Sequence, residues 1–155
     1  MSLRRRLLPC VGLLVACAVQ GKSQDGALAP LDPSYVAECG TCHIAYPAEY
    51  LGRESWQALF DGSKTHFKVD AEPDGSSLPA IKKYLMKHAR PTARLGAIKG
   101  EGPLLRITQS RGFREIHNGI ELEHWPEVKT LGNCAACHPN AEQGDFRGLV
   151  RALDQ

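Results

Sequence analysis

This chain of 155 residues has no excess of charge of one sign: 19 Lys and Arg stand against 17 Asp and Glu. That balance excludes the strongly basic chain that nucleic-acid binding calls for. Aromatic residues are scarce at 6%, while Gly and Pro number 15 and 10. A short, loop-rich chain with few large rings builds a thin core, and small domains of this kind borrow stability from metals, disulfides or cofactors. Strand-like alternation is also lacking, so the expectation is a mostly α protein of short helices and turns. No pair of carboxylates, no nucleophile with its base and no phosphate-binding loop stands out. The glycine-rich run Gly96–Gly102 follows no strand and reads as a linker.

The one long apolar stretch, Leu7 to Val19, follows Arg4-Arg5-Arg6 and gives way to a polar segment. It is too short to span a bilayer comfortably and has the form of an export signal, with a retained membrane anchor as the alternative. Cleavage near residues 17–26 fits Ala16-Cys17-Ala18, whereas Leu14-Val15-Ala16-Cys17 resembles a lipobox that would lipidate Cys17. Either route places the mature chain outside the cytoplasm.

Of six cysteines, Cys10 and Cys17 belong to this leader. The remaining four form Cys39-Gly40-Thr41-Cys42-His43 and Cys134-Ala135-Ala136-Cys137-His138, which leaves no spare thiol for an oxidising compartment. Both runs are Cys-x-x-Cys-His, the attachment signature of haem c. Thiols three residues apart reach the two vinyl groups of one porphyrin, and the adjacent histidine offers its imidazole to the iron. Small residues between the cysteines let the backbone approach the macrocycle. A single zinc site would have to join pairs about 90 residues apart, beyond zinc-ribbon spacing. A redox dithiol would not explain a histidine in the same place twice.

A second axial ligand is either methionine or histidine. Of two methionines, Met1 begins the leader, so at least one haem cannot be ligated by His and Met. Beyond Met86, the candidates are His66, His88, His117 and His124. Ser77–His88 reads as a helix with Leu78, Ile81, Tyr84, Leu85 and His88 on its buried face, Ser77 as cap and Met86 off the stripe. Arg111–His117 reads as a short helix with Phe113, Ile116 and His117 along one side. His66 follows a short helix bearing Trp56, Leu59 and Phe60, and His124 looks like a surface residue. Spacing alone leaves the choice open.

Several further runs are more specific than the haem signature. Glu38–Pro47, Ser55-Trp56, His66-Phe67, Tyr84-Leu85, Arg106-Ile107-Thr108, Phe113 with His117, Asn133–Pro139 and Ala141–Phe146 cover about residues 35–147. Together they resemble the bacterial dihaem cytochrome c family that partners the sphaeroides haem protein, a small oxygen-binding cytochrome. The resemblance implies two covalent haems c, each with two histidine ligands. The matching positions are His66 and His117 beside His43 and His138. Sequence neighbourhood suggests His66 for the first haem and His117 for the second, and a crossed arrangement stays open, as does His88 in place of His66. Ser110-Arg111-Gly112 departs from the family, which more often has proline and an aromatic there.

The expected organisation is an export signal over 1–25, a first haem-binding half over 26–95, a Gly-rich linker over 96–103 and a second half over 104–155. The expected function is a periplasmic, low-potential electron carrier rather than an enzyme. The resemblance implies a monohaem c-type cytochrome as acceptor and leaves a membrane b-type cytochrome open as donor. Two alternatives remain. A dihaem peroxidase-like enzyme would need one openable haem and usually a longer chain. A subunit through which electrons enter a periplasmic reductase would be permanently bound; the nitrate reductase example has its two motifs closer together.

Overall fold

The computed structural model of the protein describes residues 28–90 and 102–147. The expected leader (1–25) and residues 96–101 of the expected linker lie outside the described residues. Among the described residues there are short helices and turns and no strand, only two isolated bridges, Gly52–Arg90 and His66–Val69. None of these helices is long and apolar enough to cross a membrane.

Helix α1 (Pro33–Cys39) starts where Asp32, in extended backbone, accepts a hydrogen bond from the Tyr35 amide at 3.1 Å. Pro33 occupies a first-turn position that needs no N–H donor. The helix stops at Gly40, whose amide bonds back to the Val36 carbonyl at 2.9 Å. A Cβ at residue 40 would lie 2.5 Å from that carbonyl oxygen, so the glycine between the first two cysteines closes the helix. That is a local reason for a small residue, independent of any bound group.

Helix α2 (Arg53–Asp61) buries Ser55 and Trp56. Helix α3 (Leu78–His88) buries Ile81, Tyr84 and Leu85 of the expected stripe, while Leu78 and His88 at its two ends are half-buried. Its expected cap behaves differently. The Ser77 side chain makes no capping bond; its hydroxyl donates to Glu38 Oε1 at 3.0 Å, so it ties α3 to α1. Helix α4 (Arg111–Ile116) is capped by Ser110, which is fully buried and accepts from the Phe113 amide at 3.2 Å. The serine that departs from the family pattern thus starts the helix itself.

On α4 the expected three-residue face divides. Phe113 is buried, but Ile116 is 72% exposed. A three-residue step falls about 60° to one side of Phe113 and a four-residue step about 40° to the other. On a helix of six residues the inward sector takes the second, His117, and leaves Ile116 in solvent.

One cluster forms the core: Tyr35, Ala45, Ala48, Leu51, Trp56, Ile81, Tyr84, Leu85 and Ala89. Trp56 satisfies its indole by donating to the Ala48 carbonyl at 2.8 Å, and Tyr35 donates to the Tyr46 carbonyl at 2.9 Å. Every buried member comes from the first half; Leu104 and Ile107 of the second half pack on its edge. Among the described residues of the second half, only Phe113, Val128 and Ala141 are buried apolar side chains. The helical elements of its described residues are α4 and single turns of 3-10 helix.

Leu85 is 1% exposed. Leu85→Ala should therefore cost about 2–5 kcal/mol through lost burial and a residual cavity. Val69→Ala, at a site 55% exposed, should stay within about 0.5 kcal/mol. Urea unfolding followed by circular dichroism measures both, and similar midpoints for the two variants would contradict this core.

Candidate haem centres

The two motifs sit in unlike local structures. Cys39 is the last residue of α1 and is half-buried, while Cys42 and His43 follow in an exposed bend. In the second motif Cys134–Ala136 form a 3-10 turn, and the amides of Cys137 and His138 both bond to the Cys134 carbonyl. None of the four cysteines is paired in a disulfide. Burial, with Glu38 adding to it, pushes the Cys39 thiol up to about 11. Burial also raises Cys134 and Cys137, the latter with help from Glu127. A redox dithiol needs the opposite shift, toward thiolate. Among the described residues no three Cys and His side chains converge on one point, so the sulfurs do not assemble a zinc site.

The histidines do converge, in two pairs. His43 and His66 have ring centres 6.2 Å apart with planes at 37°. His117 and His138 have ring centres 6.2 Å apart with planes at 85°. The pairs join neighbours in sequence and do not cross. His43 Nδ1 lies 2.7 Å from the Ile44 carbonyl and His117 Nδ1 2.9 Å from the Phe113 carbonyl. A carbonyl only accepts, so each Nδ1 donates, and in the neutral ring this tautomer leaves the lone pair on Nε2. Desolvation, then His43 and Arg106, lower the pKa of His66 and favour its neutral, ligating form.

His66 is presented by a strained turn. Phe67 and Lys68 both have positive φ, 46° and 80°, between the bridged residues His66 and Val69. Left-handed backbone costs non-glycine residues roughly 1–2 kcal/mol each. The guanidinium of Arg106, from the second half, lies 3.7 Å from the Phe67 ring centre and holds the turn from outside.

Each paired histidine also touches an aromatic ring. Tyr46 stacks on His43 at 5.0 Å, Phe67 meets His66 at 4.6 Å, Phe113 stacks on His117 at 3.9 Å and Phe146 meets His138 edge-on at 5.8 Å. A cavity of about 290 Å³ lies between the motifs, lined by Cys42 and His43 on one side and by Val128, Gly132 and Cys134 on the other. The attachment motifs of the two halves are therefore spatial neighbours. The remaining candidates lie elsewhere. His88 packs its ring against Tyr84, His124 is exposed beside Glu121, and Met86 packs against the core cluster rather than standing clear of it.

Sequence reasoning missed Tyr46 and did not see why Phe67, Phe113 and Phe146 matter. A signal was present: Tyr46 and Phe67 follow histidines by three residues and one residue, and Phe113 precedes His117 by one helical turn.

Residues 35–146 match the family model described as dihaem cytochrome c. No curated protein matches the chain. The fold is similar to a diheme cytochrome c from Rhodobacter sphaeroides, with 35% identity over 76% of this chain and 98% of that one, at a TM-score of 0.66. It is also similar to a diheme cytochrome type c from Shewanella baltica, with 32% identity over 74% and 85% of the two chains, at a TM-score of 0.60. The chain belongs to the dihaem cytochrome c family, electron-transfer cytochromes with two covalently bound haems c.

Proposed function

We propose that the chain is a periplasmic electron carrier of low potential in which each haem iron is closed by two histidines. Cys39 and Cys42 attach the first haem, and Cys134 and Cys137 the second. His43 and His66 ligate the first iron, and His138 and His117 the second. The observation that carries this reading is the 6.2 Å spacing common to both pairs. A metal–imidazole bond is ~2 Å long, so two imidazoles on opposite sides of one metal have ring centres about 6 Å apart. Ring stacking does not account for the shared spacing, because the planes meet at 37° in one pair and 85° in the other.

When bound, the haems supply a reversible one-electron iron couple. The chain's own residues hold and exclude. Ile44 and Phe113 carbonyls keep the lone pairs of His43 and His117 free at Nε2, an outer-shell arrangement familiar from metal-binding histidines. Four imidazoles would leave no open position for oxygen, peroxide or nitrite, which favours electron transfer over the peroxidase alternative. Two imidazoles also set a lower potential than histidine with methionine, since a thioether favours reduced iron. Export rests on the arginines and apolar run of the leader. A monohaem c-type cytochrome similar to the sphaeroides haem protein is the proposed acceptor, and a membrane b-type cytochrome the proposed donor.

Carbon monoxide should leave the optical spectrum of the reduced protein unchanged; a shift in half or all of the absorbance would mean an open iron and overturn the carrier reading. His66→Ala and His117→Ala should each convert one haem to a high-spin, carbon monoxide-binding form. Two unaltered low-spin haems in both variants would sink the ligand assignment. Intact mass should show two haems on the native chain and one on the Cys134→Ala/Cys137→Ala variant, and two haems on that variant would refute the second attachment site.

A further inference from the structure

Tyr46 stands between the two attachment motifs. Its ring stacks on the His43 imidazole with planes 27° apart. Its hydroxyl donates to the Gly132 carbonyl at 3.4 Å, across 86 residues of sequence, and reaches the Cys134 sulfur. Gly132 O also accepts from the Cys134 thiol at 3.6 Å. A thioether has no S–H to give, so once Cys134 is attached the Tyr46 hydroxyl is left as the donor of this pair to that carbonyl.

The residue is anchored well enough to transmit position. Its own carbonyl accepts from the buried Tyr35, Pro47 restricts its backbone to extended conformations, and its side chain packs against the core cluster.

We propose that Tyr46 is a positioning residue that registers the two haem sites against each other, its ring holding the plane of His43 and its hydroxyl holding the loop that presents Cys134. This rests on reading His43 and Cys134 as haem-binding residues. Simple packing would need only the ring's bulk. Registration needs the ring on His43 and the hydroxyl on the 132–134 loop, two functions that substitution separates.

The test uses the oxidised holoprotein and electron paramagnetic resonance. The native spectrum comes first: a high-spin signal there would refute the ligation reading itself, before any variant is made. With two low-spin signals in hand, Tyr46→Phe should keep both sets of g-values, because the ring remains. It should broaden the distribution of distances between the two ferric spins, because the tie to Gly132 is gone. Tyr46→Leu should in addition shift the g-values of one centre. A native distance distribution in Tyr46→Phe overturns the role of the hydroxyl, and native g-values in Tyr46→Leu overturn that of the ring. Tyr46→Phe, nearly isosteric, keeps the proposal testable if the leucine variant does not fold.

Discussion

An imidazole binds a metal only along the lone pair of one nitrogen, so a histidine serves as a ligand only when its ring is held in one orientation. Much of this small structure answers to that constraint. His43 is fixed by the Ile44 carbonyl on one edge and the Tyr46 face, and His117 by the Phe113 carbonyl and the Phe113 face. Phe67 and Phe146 lie against His66 and His138. The chain has only four phenylalanines, and three of them touch these histidines. A sequence poor in aromatics places them at these histidines and leaves most of the core to aliphatic residues and three further rings, Tyr35, Trp56 and Tyr84.

The same economy explains why the halves differ. The first half has a continuous core in which α1, α2 and α3 close over Leu51, Ile81 and Leu85. The second half has one helix of six residues and three buried apolar side chains among its described residues. Burial on that scale does not offset the entropy of ordering the backbone. A covalent haem held at the short Cys134–Ala136 turn would supply the apolar mass that this half lacks. The halves also lean on each other: Arg106 caps the strained turn of His66, Tyr50 packs on Phe146, and Tyr46 reaches Gly132.

What was legible in the sequence follows from range. Cysteine and histidine at fixed local spacing announced both attachment motifs, and apolar periodicity gave α3 and its buried face. Features set by tertiary neighbours were not legible. Ser77 has the form of a cap, yet Glu38 on α1 takes its hydroxyl. Ile116 fits a helical stripe that a one-and-a-half-turn helix is too short to bury. Gly40 reads as small for the sake of a macrocycle, but Val36 O already forbids a side chain there. Tyr46 meets Gly132 through a fold that no local window contains.

Two identical motifs have thus been set into two different frames. Both histidine pairs share one spacing, 6.2 Å between ring centres, which is what two imidazoles on one metal would have. The angle between the ring planes differs between the pairs, and each ring's neighbours set it. At the first pair Tyr46 stacks on one imidazole while a strained, externally clamped turn aims the other, and the planes settle at 37°. At the second, Phe113 lies nearly parallel to His117, 14° between planes, while Phe146 meets His138 edge-on, and the planes settle at 85°. The aromatic residues around the histidines therefore add to the difference between the two centres that begins with the helix end at Cys39 and the 3-10 turn at Cys134.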